Sequence, residues 1–199
     1  MLTLENISCS YNNSKIFKGL SAKVKRGNLL ILKGDNGSGK TSLLKIIANL
    51  KKPSSGKISW HENDEENSIK NLQTCYIGHK LAIKTDFTVY ENILFWAKMY
   101  EGEQYAEYAL KFFGLEEKRN VNCSSLSAGW IKKVALAKLI CCPSDMWLLD
   151  EPFNNLDKNT IEKLNNLILA KCSKGGVVIL SSHLEIDNKE AIEINMLEY

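Results

Sequence analysis

The sequence predicts an α/β fold in which a mainly parallel β-sheet is covered by helices on both faces. Three observations predict it. Residues 29–33 form a compact apolar run ending on a glycine-rich loop, residues 146–149 and 177–180 form further apolar runs of strand length, and stretches with helical apolar spacing separate them.

Along the chain, residues 2–7 and 20–24 alternate as half-buried strands. After the glycine-rich loop, Leu43, Leu44, Ile46, Ile47 and Leu50 recur at helical spacing. Pro53, Ser54, Ser55 and Gly56 mark a turn, residues 57–60 and 73–77 read as extended, and 62–71 between them as polar loop. Val89, Ile93, Leu94, Ala97 and Tyr100, then Tyr105, Tyr108, Ala109 and Phe112, mark two helices in series. Further helices are expected at 125–140 and 160–170. With 199 residues and no linker or repeat, the chain suits a single domain, 1–199, carrying a helical insert at approximately 80–143.

A hydrophobic fraction of 44% and a charged fraction of 25% belong to a soluble globular protein. The net charge of +3 arises from 26 basic and 23 acidic residues with no long like-charged run, so no nucleic-acid partner is expected. No apolar stretch reaches the roughly 18 residues that span a bilayer, and a basic-then-apolar leader is lacking, so the chain is expected in the cytosol unless a partner holds it to a membrane. The six cysteines show no metal-ligand spacing and are expected to be reduced and mostly buried. Cys141 and Cys142 read as apolar filling of a helix end rather than as a redox pair.

Gly34-Asp35-Asn36-Gly37-Ser38-Gly39-Lys40-Thr41, followed by Ser42, matches the phosphate-cradling pattern G-x-x-x-x-G-K-S/T between a buried strand and an amphipathic helix. Glycines let backbone N–H groups converge on an anion, and the helix N-terminus adds partial positive charge. Lys40 is expected to reach the β- and γ-phosphates of ATP, and Thr41 to bind Mg²⁺. The run Met146-Trp147-Leu148-Leu149-Asp150-Glu151 delivers two carboxylates at a strand end, where open α/β sheets place their ligands. Asp150 is expected to hold Mg²⁺, and Glu151 to orient and deprotonate the attacking water.

Between these motifs, Leu126-Ser127-Ala128-Gly129-Trp130 with Lys132-Lys133-Val134-Ala135-Leu136-Ala137 is similar to the L-S-G-G-Q signature and its basic helix. On these segments the chain resembles the ATP-binding subunits of ABC transporters. The resemblance implies a P-loop NTPase core with an ABC-type antiparallel β edge and a small helical subdomain. It also implies ATP hydrolysis, a homodimer with ATP at its interface, and integral membrane transporter subunits as partners at the cytoplasmic face of the inner membrane. Ser127 and Gly129 then close over the γ-phosphate held by the opposite subunit, Asp157 ends the aspartate loop that crosses the interface, and His183 is the switch histidine at the γ-phosphate. Ala128 and Trp130 depart from the pattern. Physically, Ser127 and Gly129 at a helix start form a second anion site that needs a ligand from elsewhere; Asp157 can also cap the following helix. Tyr11 occupies the place of the adenine-stacking aromatic, and core packing at a strand end is the open rival. His61 reads as exposed.

Most of the family has Gln where His79 stands, to bind Mg²⁺ and sense the membrane partner, and the resemblance gives His79 that place with Thr41 and Asp150 at the metal. Gly78-His79, the segment Phe87-Thr88-Val89-Tyr90-Glu91-Asn92-Ile93-Leu94-Phe95 and L-S-A-G nevertheless resemble one branch, the ATP-binding subunits of haem exporters in bacterial cytochrome c maturation. ATPase subunits of other ABC transporters, moving lipids, lipoproteins or peptides, and soluble non-transport ABC ATPases remain the alternatives.

Overall fold

The computed structural model describes residues 1–12, 14–60, 73–183 and 191–199; His61 and the loop expected at 62–71 lie outside them. Two compact units are present, one of Met1–Gly78, Asp145–Pro152 and Leu167–Tyr199, the other of His79–Ser144 and Phe153–Asn166.

In the first unit, β1 (Leu2–Tyr11) pairs antiparallel with β2 (Ser14–Val24) on one side and β4 (Ser55–Trp60) on the other. This is the antiparallel edge. Both leading strands outrun the expected 2–7 and 20–24, because the register shifts after Leu4, Ile7 and Cys9. Each shift changes the phase of the pleat, so strict alternation breaks while the ladder continues.

The second sheet has the order β5-β6-β7-β3-β8, with every neighbouring pair parallel. Its strands are β3 (Leu29–Lys33), β5 (Thr74–Ile77), β6 (Met146–Asp150), β7 (Val177–Ser181) and β8 (Ile192–Asn195). All residues of β6 and β7 are buried, as strands covered on both faces require. Leu30, Leu32, Leu148 and Ile179 share one core with Leu43 and Leu44 and with Leu4, Ile7, Phe17 and Leu20 of the antiparallel edge. Each such side chain contributes about 1.5–3 kcal/mol by leaving water. That core fixes the parallel strands, whose C-terminal ends carry the expected site.

α1 (Lys40–Ile47) buries Leu43, Leu44 and Ile46. Leu50, expected on its apolar face, is exposed. The helix stops earlier because Asn49 turns left-handed at φ 57°, while Leu50 N donates to Lys45 O and Asn49 N to Ile46 O. These two bonds are a Schellman closure.

The second unit contains α2 (Val89–Met99), α3 (Ala106–Phe112), α4 (Ala128–Cys141) and the start of α5 (Lys158–Ser173). Thr88 and Glu91 form a reciprocal capping box at α2. α4 starts later than the expected 125, since Cys123–Ser125 is a 3-10 turn and Ser127 is extended. Tyr105 lies in another 3-10 turn, and both it and Tyr108 are exposed; Ala106, Ala109 and Leu110 fill the buried face instead. A phenol tip is satisfied by water, so aromatic spacing alone overstates burial. All six cysteines are buried thiols outside any disulfide, and burial pushes the Cys141 thiol up to about 12, which keeps it uncharged and inert.

Asn92, only 1% exposed, ties the entry of α2 together: its amide oxygen accepts from Lys84 N at 2.9 Å, and its amide nitrogen donates to Lys84 O at 2.9 Å and Thr88 O at 3.0 Å. Removing it takes the side-chain partner from the part-buried Lys84 N–H and carbonyl. Asn92→Ala is expected to cost about 2–3 kcal/mol, against about 1 kcal/mol for the helix cap lost in Thr88→Ala. Urea unfolding of the two variants checks the order; equal losses would contradict it.

Candidate nucleotide site

The phosphate loop leaves β3 and enters α1 through Gly39, whose φ of 100° belongs to the left-handed side of the map. A Cβ there would come within 2.7 Å of Phe17 Cδ1 and 2.8 Å of Ile16 Cγ2, so β2 leaves room for glycine alone. Asp35, Asn36 and Gly37 are exposed at the crest, while Ser38, Thr41 and Ser42 are half-buried. Lys40 is buried, and its Nζ donates to Gly34 O at 2.6 Å and Asp35 O at 2.9 Å. The ammonium is thus folded into its own loop, at the spot where an anion would meet it. Ser38 Oγ is buried without a hydrogen-bond partner, an orphan that a ligand oxygen could satisfy.

At the end of β6, Asp150 is 1% exposed. Its Oδ2 accepts from Thr41 Oγ1 at 2.8 Å and its Oδ1 from Ser181 Oγ at 2.8 Å. Hydroxyl and carboxylate are hard oxygen donors, the set that Mg²⁺ prefers. Glu151 follows with φ 46°, a left-handed conformation that costs a residue with a side chain on the order of 1–3 kcal/mol. Its N–H donates to Ser181 Oγ at 2.9 Å, and its buried Oε1 stands 3.3 Å from His183 Nε2. Lys40, Thr41, Asp150, Glu151 and His183 therefore belong to one unit, with Thr41 bonded to Asp150 and Glu151 facing His183.

Ser181 was missed by sequence reasoning. The available signal was a hydroxyl at the end of an otherwise apolar strand, two residues before His183. Tyr76 was also missed; burial, and secondarily the charge of Asp150, push its phenol up to about 12, so it stays a neutral hydroxyl. Tyr11 is 67% exposed opposite Ser14, which removes core packing as its role. The next residues of β2, Ile16 and Phe17, reach Gly39, so this hairpin end lies beside the phosphate loop.

The helical unit holds the remaining candidates, and His79, its first residue, is exposed. Ser127 is the N-cap residue of α4 but its side chain makes no capping bond, so its hydroxyl is not spent on the helix. A Cβ at Gly129 would come 2.8 Å from Asn155 O, so the signature turn and the aspartate loop touch through a glycine. Asp157 accepts from Thr160 N at 2.9 Å, which makes it the cap of α5, and pairs with Lys133 Nζ at 2.7 Å. The Lys133 ammonium first, and the Thr160 N–H second, hold its carboxyl well below the usual carboxylate range. Trp130 is also accounted for locally: Lys133 Nζ lies 4.8 Å from its ring centroid, a cation–π contact.

Residues 17–154 match the ABC transporter family. The chain belongs to that family. Curated relatives of this ABC subunit named "Cytochrome c biogenesis ATP-binding export protein CcmA" include one from Rickettsia felis, 41% identical over 96% of this chain and 97% of the relative. The one from Rickettsia conorii is 46% identical over 82% and 85%, and that from Mannheimia succiniciproducens 34% identical over 100% and 94%. Among solved structures, an ATP-binding subunit of an ABC transporter superposes with a TM-score of 0.80 at 25% identity, covering 92% of this chain and 80% of its own. The cassette MJ0796, in a dimeric post-hydrolysis state bound to ADP and Pi, gives 0.78 at 24% identity over 92% and 88%, and supports the fold. The chain is thus an ABC-type ATP hydrolase. Among its described residues no helix is long and apolar enough to cross a membrane.

Because the folded-state pKa of Asp157 is depressed, its ion pair stabilises the fold above the unfolded-state pKa and loses that contribution as pH falls through the folded one. The stability gap between parent and Asp157→Asn should hold from about pH 7 down to about pH 4 and shrink below it. Urea midpoints across that range test this; a gap that persists unchanged in acid would remove the ion pair as its source.

Proposed function

We propose that this chain is the ATPase of the haem exporter complex of cytochrome c biogenesis. It works as a homodimer with ATP at the interface, against integral membrane subunits at the cytoplasmic face of the inner membrane. One observation carries the chemistry: Asp150, Glu151 and His183 converge beside the phosphate loop, with Thr41 already bonded to Asp150. The name shared by relatives similar over nearly the whole chain supports the pathway.

In this reading, ATP draws Lys40 away from the Gly34 and Asp35 carbonyls onto the β- and γ-phosphate oxygens, while loop N–H groups hold the remainder. Asp35, Asn36, Gly37, Ser38 and Ser42 supply the rest of the cradle, and Tyr11 offers an open ring face to adenine. Thr41 and Asp150 would hold Mg²⁺, which would offset charge on the phosphate oxygens. Glu151 accepts the proton of the attacking water, and His183, across from its carboxylate, contacts the γ-phosphate. Ser127 and Gly129 of one copy close over the phosphate of the other, with the Asp157 loop crossing the interface.

His79 stands where the family resemblance places a metal-site and coupling residue; because Mg²⁺ prefers oxygen donors, its imidazole supports the coupling role more than the metal role. His79→Ala should leave basal hydrolysis intact while c-type cytochrome assembly falls; normal assembly at matched protein level would defeat the coupling role. Lys40→Ala should weaken ATP binding about 100-fold, the loss expected for two charge-assisted hydrogen bonds. Titration with a fluorescent ATP analogue measures it, and parental affinity would remove Lys40 from the phosphate site.

A further inference from the structure

Ser181 closes β7 with no exposure to solvent, one strand over from Asp150, which is its register partner. A hydroxyl has one proton and two lone pairs. Here the proton goes to Asp150 Oδ1 at 2.8 Å, and a lone pair accepts the Glu151 N–H at 2.9 Å. One side chain therefore grips both the carboxylate expected at the metal and the backbone of the residue expected to activate water. That backbone is held at φ 46°, a conformation that persists only where surrounding contacts impose it.

We infer that Ser181 is a positioning residue that aims Asp150 at the metal and holds Glu151 in its left-handed conformation. The assignment rests on the proposed roles of Asp150 and Glu151. It also distinguishes the two oxygens of Asp150: Ser181 holds Oδ1, whereas Oδ2 is met by Thr41, the other residue that would hold Mg²⁺. With Ser181 in place the carboxylate cannot rotate freely about its Cβ–Cγ bond. Without it, Oδ1 and the Glu151 N–H each lose a buried partner, and the plane of the carboxylate is no longer set.

The test compares Ser181→Ala, Ser181→Thr and Ser181→Cys in the full chain. Mn²⁺ binding is followed by electron paramagnetic resonance with a non-hydrolysable ATP analogue, alongside the Mg²⁺ requirement of hydrolysis and the KM for ATP. Ser181→Ala should weaken Mn²⁺ binding and lower kcat, each about tenfold, the effect of one hydrogen bond to a charged group, with KM for ATP at saturating Mg²⁺ unchanged. Ser181→Thr, which keeps the hydroxyl, should restore Mn²⁺ affinity, and Ser181→Cys, a weak donor of similar size, should fall between. Parental Mn²⁺ affinity in Ser181→Ala, even with a lowered melting temperature, overturns the inference; so does an equal loss in all three variants, which would make packing the cause. Asp150→Asn separates the two levels. If Asp150→Asn abolishes Mn²⁺ binding while Ser181→Ala keeps it parental, the inference about Ser181 fails alone; if both keep it parental, the metal role proposed for Asp150 fails and the inference falls with it.

Discussion

A carboxylate buried at the end of a parallel strand is the constraint from which the site is built. Taking Asp150 out of water costs several kcal/mol unless donors meet it, and two hydroxyls do so, from Thr41 and Ser181. Those donors come from segments far apart in sequence, and the strand order brings β7 alongside β6. The phosphate loop, the Asp-Glu strand end and the strand leading to His183 are therefore held by one hydrogen-bond set. Glu151 inherits its position from that set: its N–H is anchored by the same Ser181 hydroxyl. Loss of either hydroxyl would take one donor from a buried carboxylate.

The helical unit is tied by a different kind of contact. Gly129 admits the Asn155 carbonyl, Lys133 spans Trp130 and Asp157, and Asp157 begins α5. This explains how the signature tolerates Trp130 where its family has glutamine: the ring takes up the ammonium that fixes the aspartate loop. Ser127 is left with a hydroxyl that caps nothing. A turn with an unspent hydroxyl at a helix start is suited to an anion, and on the proposed reading that anion is the γ-phosphate of a second copy.

What could be read from the sequence was what is local. The phosphate loop and β6 depend on consecutive residues, so motif and apolar run located Lys40, Thr41, Asp150 and Glu151 directly. Contacts between distant segments were not legible. Ser181 becomes notable only when β7 lies beside β6, and Lys133 only when the aspartate loop returns to α4. Leu50 and Tyr105 show the opposite error, where periodicity continued past a helix closure or into a 3-10 turn. β8 went unforeseen because two isoleucines in four residues give too short a pattern, and its place is set by pairing with β3.

On the proposed reading, one chain holds half of each of two ATP sites. Sedimentation of Glu151→Gln, whose amide can hold water but cannot take its proton, tests this most directly. With ATP and Mg²⁺ the variant should sediment as a dimer holding two nucleotides, and Ser127→Arg added to it should return the monomer without loss of ATP binding. A monomer at saturating ATP, with the membrane subunits present as well as absent, would contradict the account.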